Sequence, residues 1–145
     1  MENQSNSKDS PKGNPKDNPI VQSSSRGNPK DNPIVDKSFG FAVRIVKFSK
    51  WLRQEHKEYE LASQVLRSGT SIGANIAEAQ YAQSKPDFIS KMHIALKEAS
   101  ETTYWLRLIA AAQIVSSEDV KSLQNDASEI TKILASIVKT SKESM

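Results

Sequence analysis

Apolar residues recur every three or four positions along most of the chain, which is the spacing of one face of a helix. Four such runs follow one another after residue 38. They are Phe41, Ile45, Phe48 and Leu52; then Leu61, Val65, Ile72, Ile76 and Ala79; then Phe88, Met92, Ala95, Ala99, Thr102, Leu106 and Ile109; and finally Val120, Leu123, Ala127, Ile130, Leu134 and Ile137. The pattern predicts an all-α protein, an antiparallel four-helix bundle with short connections.

Serine residues mark three of the predicted helix starts. Ser38 precedes the first apolar run, and a serine side chain at that position can accept a hydrogen bond from a free backbone N–H. Ser84 is followed three residues later by Asp87, and Ser116 by Asp119, the spacing of a capping box. The bundle is therefore predicted to occupy residues 38–145.

Residues 1–37 differ in composition from the rest of the chain. They hold five of the six prolines, and the segment GNPKDNPIV occurs twice, at 13–21 and at 27–35. Asn-Pro steps disfavour helix at the preceding residue, so a disordered leader carrying a short duplication is predicted. The alternative is a two-copy linear motif that docks a partner through Ile20-Val21 and Ile34-Val35.

The stretch RSGTSIGANIAEA, residues 67–79, contains two glycines that could belong to a phosphate-binding loop or to a helix. A phosphate loop needs four residues between its glycines and then a lysine, and here Gly69 and Gly73 are separated by three residues with no lysine after them. Small residues one turn apart allow a neighbouring helix to approach closely. Each glycine inside a helix costs about 1 kcal/mol relative to alanine. The stretch is therefore predicted to be a close-packing helix.

Bulk composition narrows the classes of protein. The chain has no cysteine, which excludes disulfides, thiolate metal sites and cysteine nucleophiles. No apolar run approaches the roughly 18 residues of a membrane span, and no signal-peptide core is present. These features favour a soluble, cytoplasmic protein without a membrane partner. The net charge of +3 is mild, so any nucleic-acid surface must come from a local cluster.

The first predicted helix carries such a cluster. Arg44, Lys47, Lys50 and Arg53 recur every three residues, Lys57 follows, and no acidic residue occurs between Lys37 and Glu55. At about 100° per residue these side chains spread over the side opposite the apolar run. The row is either an ordinary solvated face or a candidate nucleic-acid-binding surface that contacts phosphates without reading sequence.

Polar pairs on the second and third helices do not resemble a catalytic or metal site. Asn75 and Glu78 share one face, as do Glu98 and Glu101. Dinuclear metal sites in bundles use Glu-x-x-His pairs, and neither histidine has a glutamate three residues before it. We expect the glutamates to pair with Arg67 and Lys97 or to contact a neighbouring subunit. No catalytic residue, metal or cofactor is predicted, and the chain is predicted not to be an enzyme.

A family resemblance rests on residues 66–106, LRSGTSIGANIAEAQYAQSKPDFISKMHIALKEASETTYWL. The matching features are Arg67, Ser71, the NIAEA run with Asn75 and Glu78, SKPDFI, IALKEA with Glu98, and Glu101 before YWL. This stretch resembles the small four-helix-bundle proteins encoded in intervening sequences of bacterial 23S ribosomal RNA. It is also similar to the accessory proteins of diversity-generating retroelements. The resemblance covers the chain from about Ser38 to its end.

The resemblance implies a homo-oligomer, often a five-membered ring, with basic surfaces suited to nucleic acid. From their spacing and charge, Arg67, Gly69, Gly73, Asn75, Glu78, Glu98 and Glu101 form a candidate structural or subunit network. Two hypotheses for function follow. The first is a ring that binds RNA or DNA through backbone phosphates. The second is a protein-binding adaptor, for example an accessory subunit for a reverse transcriptase.

Overall fold

The structure is a computed structural model that describes residues 32–145. It contains four helices: α1 (Pro33–His56), α2 (Tyr59–Ala79), α3 (Lys85–Ala111) and α4 (Ser117–Glu143). Residues 32–145 form no strand. The predicted all-α four-helix bundle is confirmed. Of the predicted leader, residues 1–37, positions 1–31 lie outside the described residues.

The helices follow one another around the bundle in chain order. α1 packs on α2, α2 on α3, α3 on α4, and a narrower contact between α4 and α1 closes the bundle. The Ser49 hydroxyl near the end of α1 donates to the carbonyl of Ala62 near the start of α2, at 2.9 Å. Neighbouring helices are thus antiparallel, so α1 and α3 lie diagonally across the core and run in the same direction.

The first helix begins at Pro33 rather than at Ser38. Ile34 and Val35 are only 3% and 7% exposed, and both pack into the core. Proline fits the first turn because its missing N–H would have no partner there. The predicted cap at Ser38 is wrong, because Ser38 is buried within the helix and its hydroxyl donates to the Val35 carbonyl at 3.1 Å. Residues 33–37 therefore belong to the bundle and not to the leader.

The burial of these two residues also tests the second copy of the proposed docking motif. Ile34 and Val35 contact the core of their own chain and are not free to dock a partner. The start of α1 is tied to the end of α2, since Asn32 Nδ2 donates to Gln80 Oε1 at 2.8 Å. The first copy, with Ile20-Val21, lies outside the described residues.

Ser84 and Ser116 cap the third and fourth helices as predicted, but the Ser116 hydroxyl accepts from Glu118 instead of Asp119. The Ser84 hydroxyl accepts from the Asp87 N–H at 3.2 Å, and the Ser116 hydroxyl accepts from the Glu118 N–H at 3.1 Å. The carboxylate of Asp87 accepts from the backbone N–H of Gln83 at 3.2 Å. That hydrogen bond, followed by the contact with Lys91, lowers the pKa of Asp87.

The predicted apolar runs form the core, with small departures. Leu61 and Phe88 are partly buried and pack at its margin. In α4 the buried run ends at Val138, and Ile137 is only partly buried. A step of four residues from Leu134 keeps Val138 on the core side, which a step of three does not.

The two glycines of residues 67–79 lie in α2, where it packs on α1. A Cβ added at Gly69 would lie 2.8 Å from Ile45 Cγ2, closer than real carbon atoms approach. A Cβ added at Gly73 would lie 3.3 Å from the Ser38 carbonyl oxygen. The stretch is a close-packing helix, as its sequence predicts, and the neighbour that it admits is α1.

Candidate functional site

The five predicted basic residues of α1 separate into two groups. The two arginines turn sideways onto neighbouring helices. Arg44 forms an ion pair with Asp126 of α4 and donates to the Ser122 hydroxyl at 2.9 Å. Arg53 donates to the Ser63 hydroxyl of α2 at 2.6 Å. The charge of Arg44 is thus partly neutralised within the bundle.

The three lysines, Lys47, Lys50 and Lys57, are exposed, and we call them the lysine row. None of them forms an ion pair with an acidic residue in the described part of the chain. Lys57 follows the last residue of α1 with a left-handed backbone (φ 57°), and its ammonium donates to the Gln54 carbonyl at 3.1 Å. The positive charge without an acidic partner is therefore concentrated in the C-terminal half of α1 and at Lys57, which follows it.

The outward side of α1 also exposes apolar side chains, which were not among the predicted core positions. Phe39 is 68% exposed, and Val43 and Val46 are exposed beside it. Their spacing of four and three residues places them on one side of the helix, away from the core. We call Phe39, Val43 and Val46 the α1 outer row. The same helix therefore has two apolar faces, and the spacing of the second was visible in the sequence.

Helix α3, which lies diagonally across the core from α1, also exposes large apolar side chains. Ile94, Tyr104 and Leu108 are exposed on its outward side, and we call them the α3 outer row. The Tyr104 and Trp105 rings meet edge to face, with centroids 5.1 Å apart. The other exposed large apolar residues of the described chain are at helix or chain ends: Tyr59, Tyr81 and Met145.

Three of the predicted network residues meet between α2 and α3. Arg67 forms ion pairs with Glu101 and, at 3.6 Å, with Glu98. The Trp105 ring N–H donates to Glu101 Oε2 at 2.9 Å. Glu98 Oε1 is buried and receives no hydrogen bond from the described residues. The arrangement fixes the Trp105 ring against the helix surface.

The remaining predicted network residues lie elsewhere on α2. Asn75 donates to the Ser71 carbonyl one turn earlier, at 2.8 Å, and Glu78 is exposed. Gly69 and Gly73 face α1, as described above. The structure thus brings together Arg67, Glu98 and Glu101, and it separates them from the glycine contact.

A cavity of about 410 Å³ opens at the end of the bundle where α1 finishes and α4 begins. Its lining consists of His56, Ala110 and residues 113–117. The His56 ring packs edge to face on Trp51, with centroids 4.6 Å apart. Within residues 32–145, no group of three or more His, Asp or Glu side chains is arranged to hold a metal ion. No helix in this part of the chain is long and apolar enough to cross a membrane.

Comparisons with known proteins agree with the fold. A family described as 23S rRNA-intervening sequence protein matches residues 30–136. The chain shares 55% sequence identity with a protein of known crystal structure. That structure is described as a protein with unknown function from the S23 ribosomal protein family of Bacteroides thetaiotaomicron VPI-5482. It superposes with a TM-score of 0.72 and covers 73% of this chain and 98% of its own. No curated protein matches the sequence.

Proposed function

The chain belongs to the 23S rRNA-intervening sequence protein family, and on that premise we propose that it is a non-catalytic homo-oligomer that binds nucleic acid through the backbone phosphates. The observation that carries the proposal is the lysine row. Lys47, Lys50 and Lys57 are exposed and have no acidic partner among the described residues. Their charge is therefore available to an external anion.

The acids of α4 remove Arg44 from the predicted row, whereas Arg53 donates to Ser63 of α2 and keeps its charge. Asp126 pairs with Arg44, and Glu129 pairs with Lys37 at 3.0 Å. These pairs cover the flank of α1 that faces α4 and leave the lysines on the outward side. A lysine ammonium contacts a phosphate as a point charge and carries no base information. Binding should therefore depend little on nucleotide sequence.

Self-association is supported by the two outer rows. A monomer would leave Phe39 and its valine neighbours on α1, and Tyr104 and its neighbours on α3, in contact with water. Grouped apolar side chains of this kind are typical of protein contacts. We expect light scattering at micromolar concentration to give a mass that is a multiple of 16.1 kDa. A mass of one chain would contradict the proposed assembly.

The alternative is a protein-binding adaptor, such as an accessory subunit for a reverse transcriptase. The exposed α1 outer row favours it, because the same apolar surface fits another protein. The adaptor hypothesis predicts that the isolated protein does not bind nucleic acid at low salt. The following experiment distinguishes the two hypotheses.

We expect Lys50→Gln/Lys57→Gln to weaken binding to a labelled RNA or DNA strand about equally for different sequences. Each phosphate contact that is lost should reduce the slope of log affinity against log salt by about 0.7–0.9. The measurement is a salt titration by fluorescence anisotropy. The fold should be unaffected, since both side chains are exposed.

The matched control is Lys132→Gln/Lys139→Gln, which removes the same charge from exposed positions of α4. This control should bind like the wild type. Equal weakening by the two double variants would show that net charge, and not the lysine row, determines the affinity. No anisotropy change for the wild type at low salt would overturn the proposal and favour the adaptor.

A further inference from the structure

The repeated segment GNPKDNPIV enters the bundle at the start of α1, where residues 32–35 of its second copy form the first turn. We call the part of the bundle that this turn covers the α1 seat. Ile34 and Val35 are buried there in the core. The Val35 N–H donates to the Asn32 carbonyl at 3.2 Å, so residues 32–35 close their own turn. The last four residues of the segment therefore carry both the turn and its apolar contacts.

The bundle side of the α1 seat is built by residues outside the segment. Gln80 donates through Nε2 to the Ile76 carbonyl at 2.9 Å, and its Oε1 atom accepts from the Asn32 amide at 2.8 Å. The Ser38 hydroxyl, which lies after the segment, donates to the Val35 carbonyl at 3.1 Å. The seat is therefore a receptor for an Asn-Pro-Ile-Val turn that the rest of the chain supplies.

The first copy of the segment, residues 13–21, contains every group that the second copy places in the seat. Asn18 has the side-chain amide, and Pro19 has the ring that suits a first helical residue. Ile20 and Val21 have the side chains of the buried pair. Because all nine residues of the two copies are the same, their backbone preferences and their apolar areas are also equal. The contacts of the seat do not distinguish the two copies.

The connection to the rest of α1 determines which copy is favoured. Val35 is bonded directly to Asp36, whereas residues 22–35, 14 in number, separate Val21 from Asp36. Seating the first copy therefore loops these residues out, and closing a loop of that length disfavours this register by a factor of about 50. The second copy occupies the seat in the structure, in agreement with this preference.

We propose that the first copy is an interchangeable first turn for the bundle, which binds the α1 seat when residues 32–35 leave it. The exchange takes place within one chain, because the connection of 14 residues keeps the first copy at a high local concentration near its own seat. The seat is then closed whichever copy occupies it. Release of the second copy therefore does not open the core.

A cycle of four chains tests the exchange by stability. Ile34→Asp/Val35→Asp removes the second copy from the seat, and Ile20→Asp/Val21→Asp disables the first copy. We expect the Ile20 pair alone to leave the urea midpoint unchanged, and the Ile34 pair alone to lower it. With all four substitutions the equilibrium constant for unfolding should be about tenfold larger than with the Ile34 pair alone, because burial of the first copy outweighs the loop closure. Additive effects of the two pairs would contradict the exchange.

A milder series guards against a bundle that does not fold with the aspartates. Ile34→Ala/Val35→Ala and Ile20→Ala/Val21→Ala should give the same order of stabilities, with smaller differences. If the Ile20 pair makes no difference in either series, the first copy does not bind the seat and the inference is wrong.

A crosslink detects the seated copy directly, since the chain has no cysteine. Asn18→Cys/Gln80→Cys is treated with a short bis-maleimide, with and without the Ile34 and Val35 substitutions. When the first copy is seated, position 18 takes the place of Asn32, whose side chain contacts Gln80. We expect crosslinking within the chain to become about tenfold faster or more when the second copy is substituted, because its competition for the seat is removed.

Ser25 provides the matched control, because it lies seven residues after Asn18 and seven before Asn32. Its separation from the seated turn along the chain is the same in both registers, so Ser25→Cys/Gln80→Cys should crosslink at an unchanged rate. Equal acceleration at positions 18 and 25 would show a general loosening of the start of α1 and overturn the exchange. A crosslink between two chains would show that the first copy fills the seat of another molecule, and would overturn exchange within one chain.

Discussion

Replacing Gly69 with leucine should lower the free energy of unfolding by about 3 kcal/mol, the upper end of the usual cost of overpacking. The new Cβ would lie 2.8 Å from Cγ2, 2.9 Å from Cγ1 and 3.3 Å from Cβ of Ile45. These atoms are at the base of a branched and fully buried side chain, which cannot move aside without moving α1. Urea denaturation followed by circular dichroism measures the loss.

Gly40 supplies the control for this prediction. A Cβ added there meets nothing within 4 Å, so Gly40→Ala should stabilise the helix by about 0.5–1 kcal/mol through propensity alone. Gly69→Ala has the same gain in propensity but should destabilise the protein. In an Ile45→Ala background, the cost of Gly69→Ala should shrink. Equal effects of the two alanine substitutions would refute the close-packing account of Gly69.

Removal of residues 1–37 should destabilise the bundle far more than removal of residues 1–31. The longer deletion takes away Ile34 and Val35, and burial of each such side chain contributes about 1.5–3 kcal/mol, or about 3–6 kcal/mol for the pair. It also removes the hydrogen bond from Asn32 to Gln80. Denaturation of the two shortened chains measures the difference. Equal stability would mean that the first turns of α1 contribute nothing.

The duplicated segment provides a matched pair of substitutions for the same question. Ile20 and Ile34 occupy the same position in the two copies of GNPKDNPIV, so Ile20→Ala and Ile34→Ala change identical local sequences. We expect Ile34→Ala to cost about 2 kcal/mol or more, because it empties a buried position. For Ile20→Ala we expect a much smaller loss, since the sequence predicts an unstructured leader there. Similar losses at both positions would contradict that prediction.

Periodicity was sufficient to predict the four helices and most of the core, because each helix buries one regular apolar face. It was insufficient at the start of α1. The Asn-Pro steps of the repeated GNPKDNPIV segment favour a leader there, although Ile34 lies seven residues before Phe41 and continues the apolar spacing of α1. The Asn-Pro step predicts a turn in both copies, and in the second it is followed by a helix with Pro33 in its first turn.

The candidate site was only partly predictable, because spacing within one helix does not reveal contacts with the other helices. The basic residues of α1 are evident from their spacing, but the partner of Arg44 is Asp126, which lies 82 positions away. No pattern within one helix indicates that this charge is paired. The outer row of Phe39, Val43 and Val46 has a visible spacing, yet a helix with apolar residues on two sides does not reveal which side faces the core until its neighbours are placed.

The long separation of Arg44 and Asp126 also has a consequence for the order in which the chain can fold during synthesis. α1, α2 and α3 follow one another through short connections, so their contacts can form while the protein is still being made. The seam between α1 and α4 joins the first helix to the last and must wait for nearly the whole chain. Until then Arg44 and Lys37 have no carboxylate from α4 to pair with. A nascent chain therefore carries more unpaired positive charge on α1 than the finished bundle does.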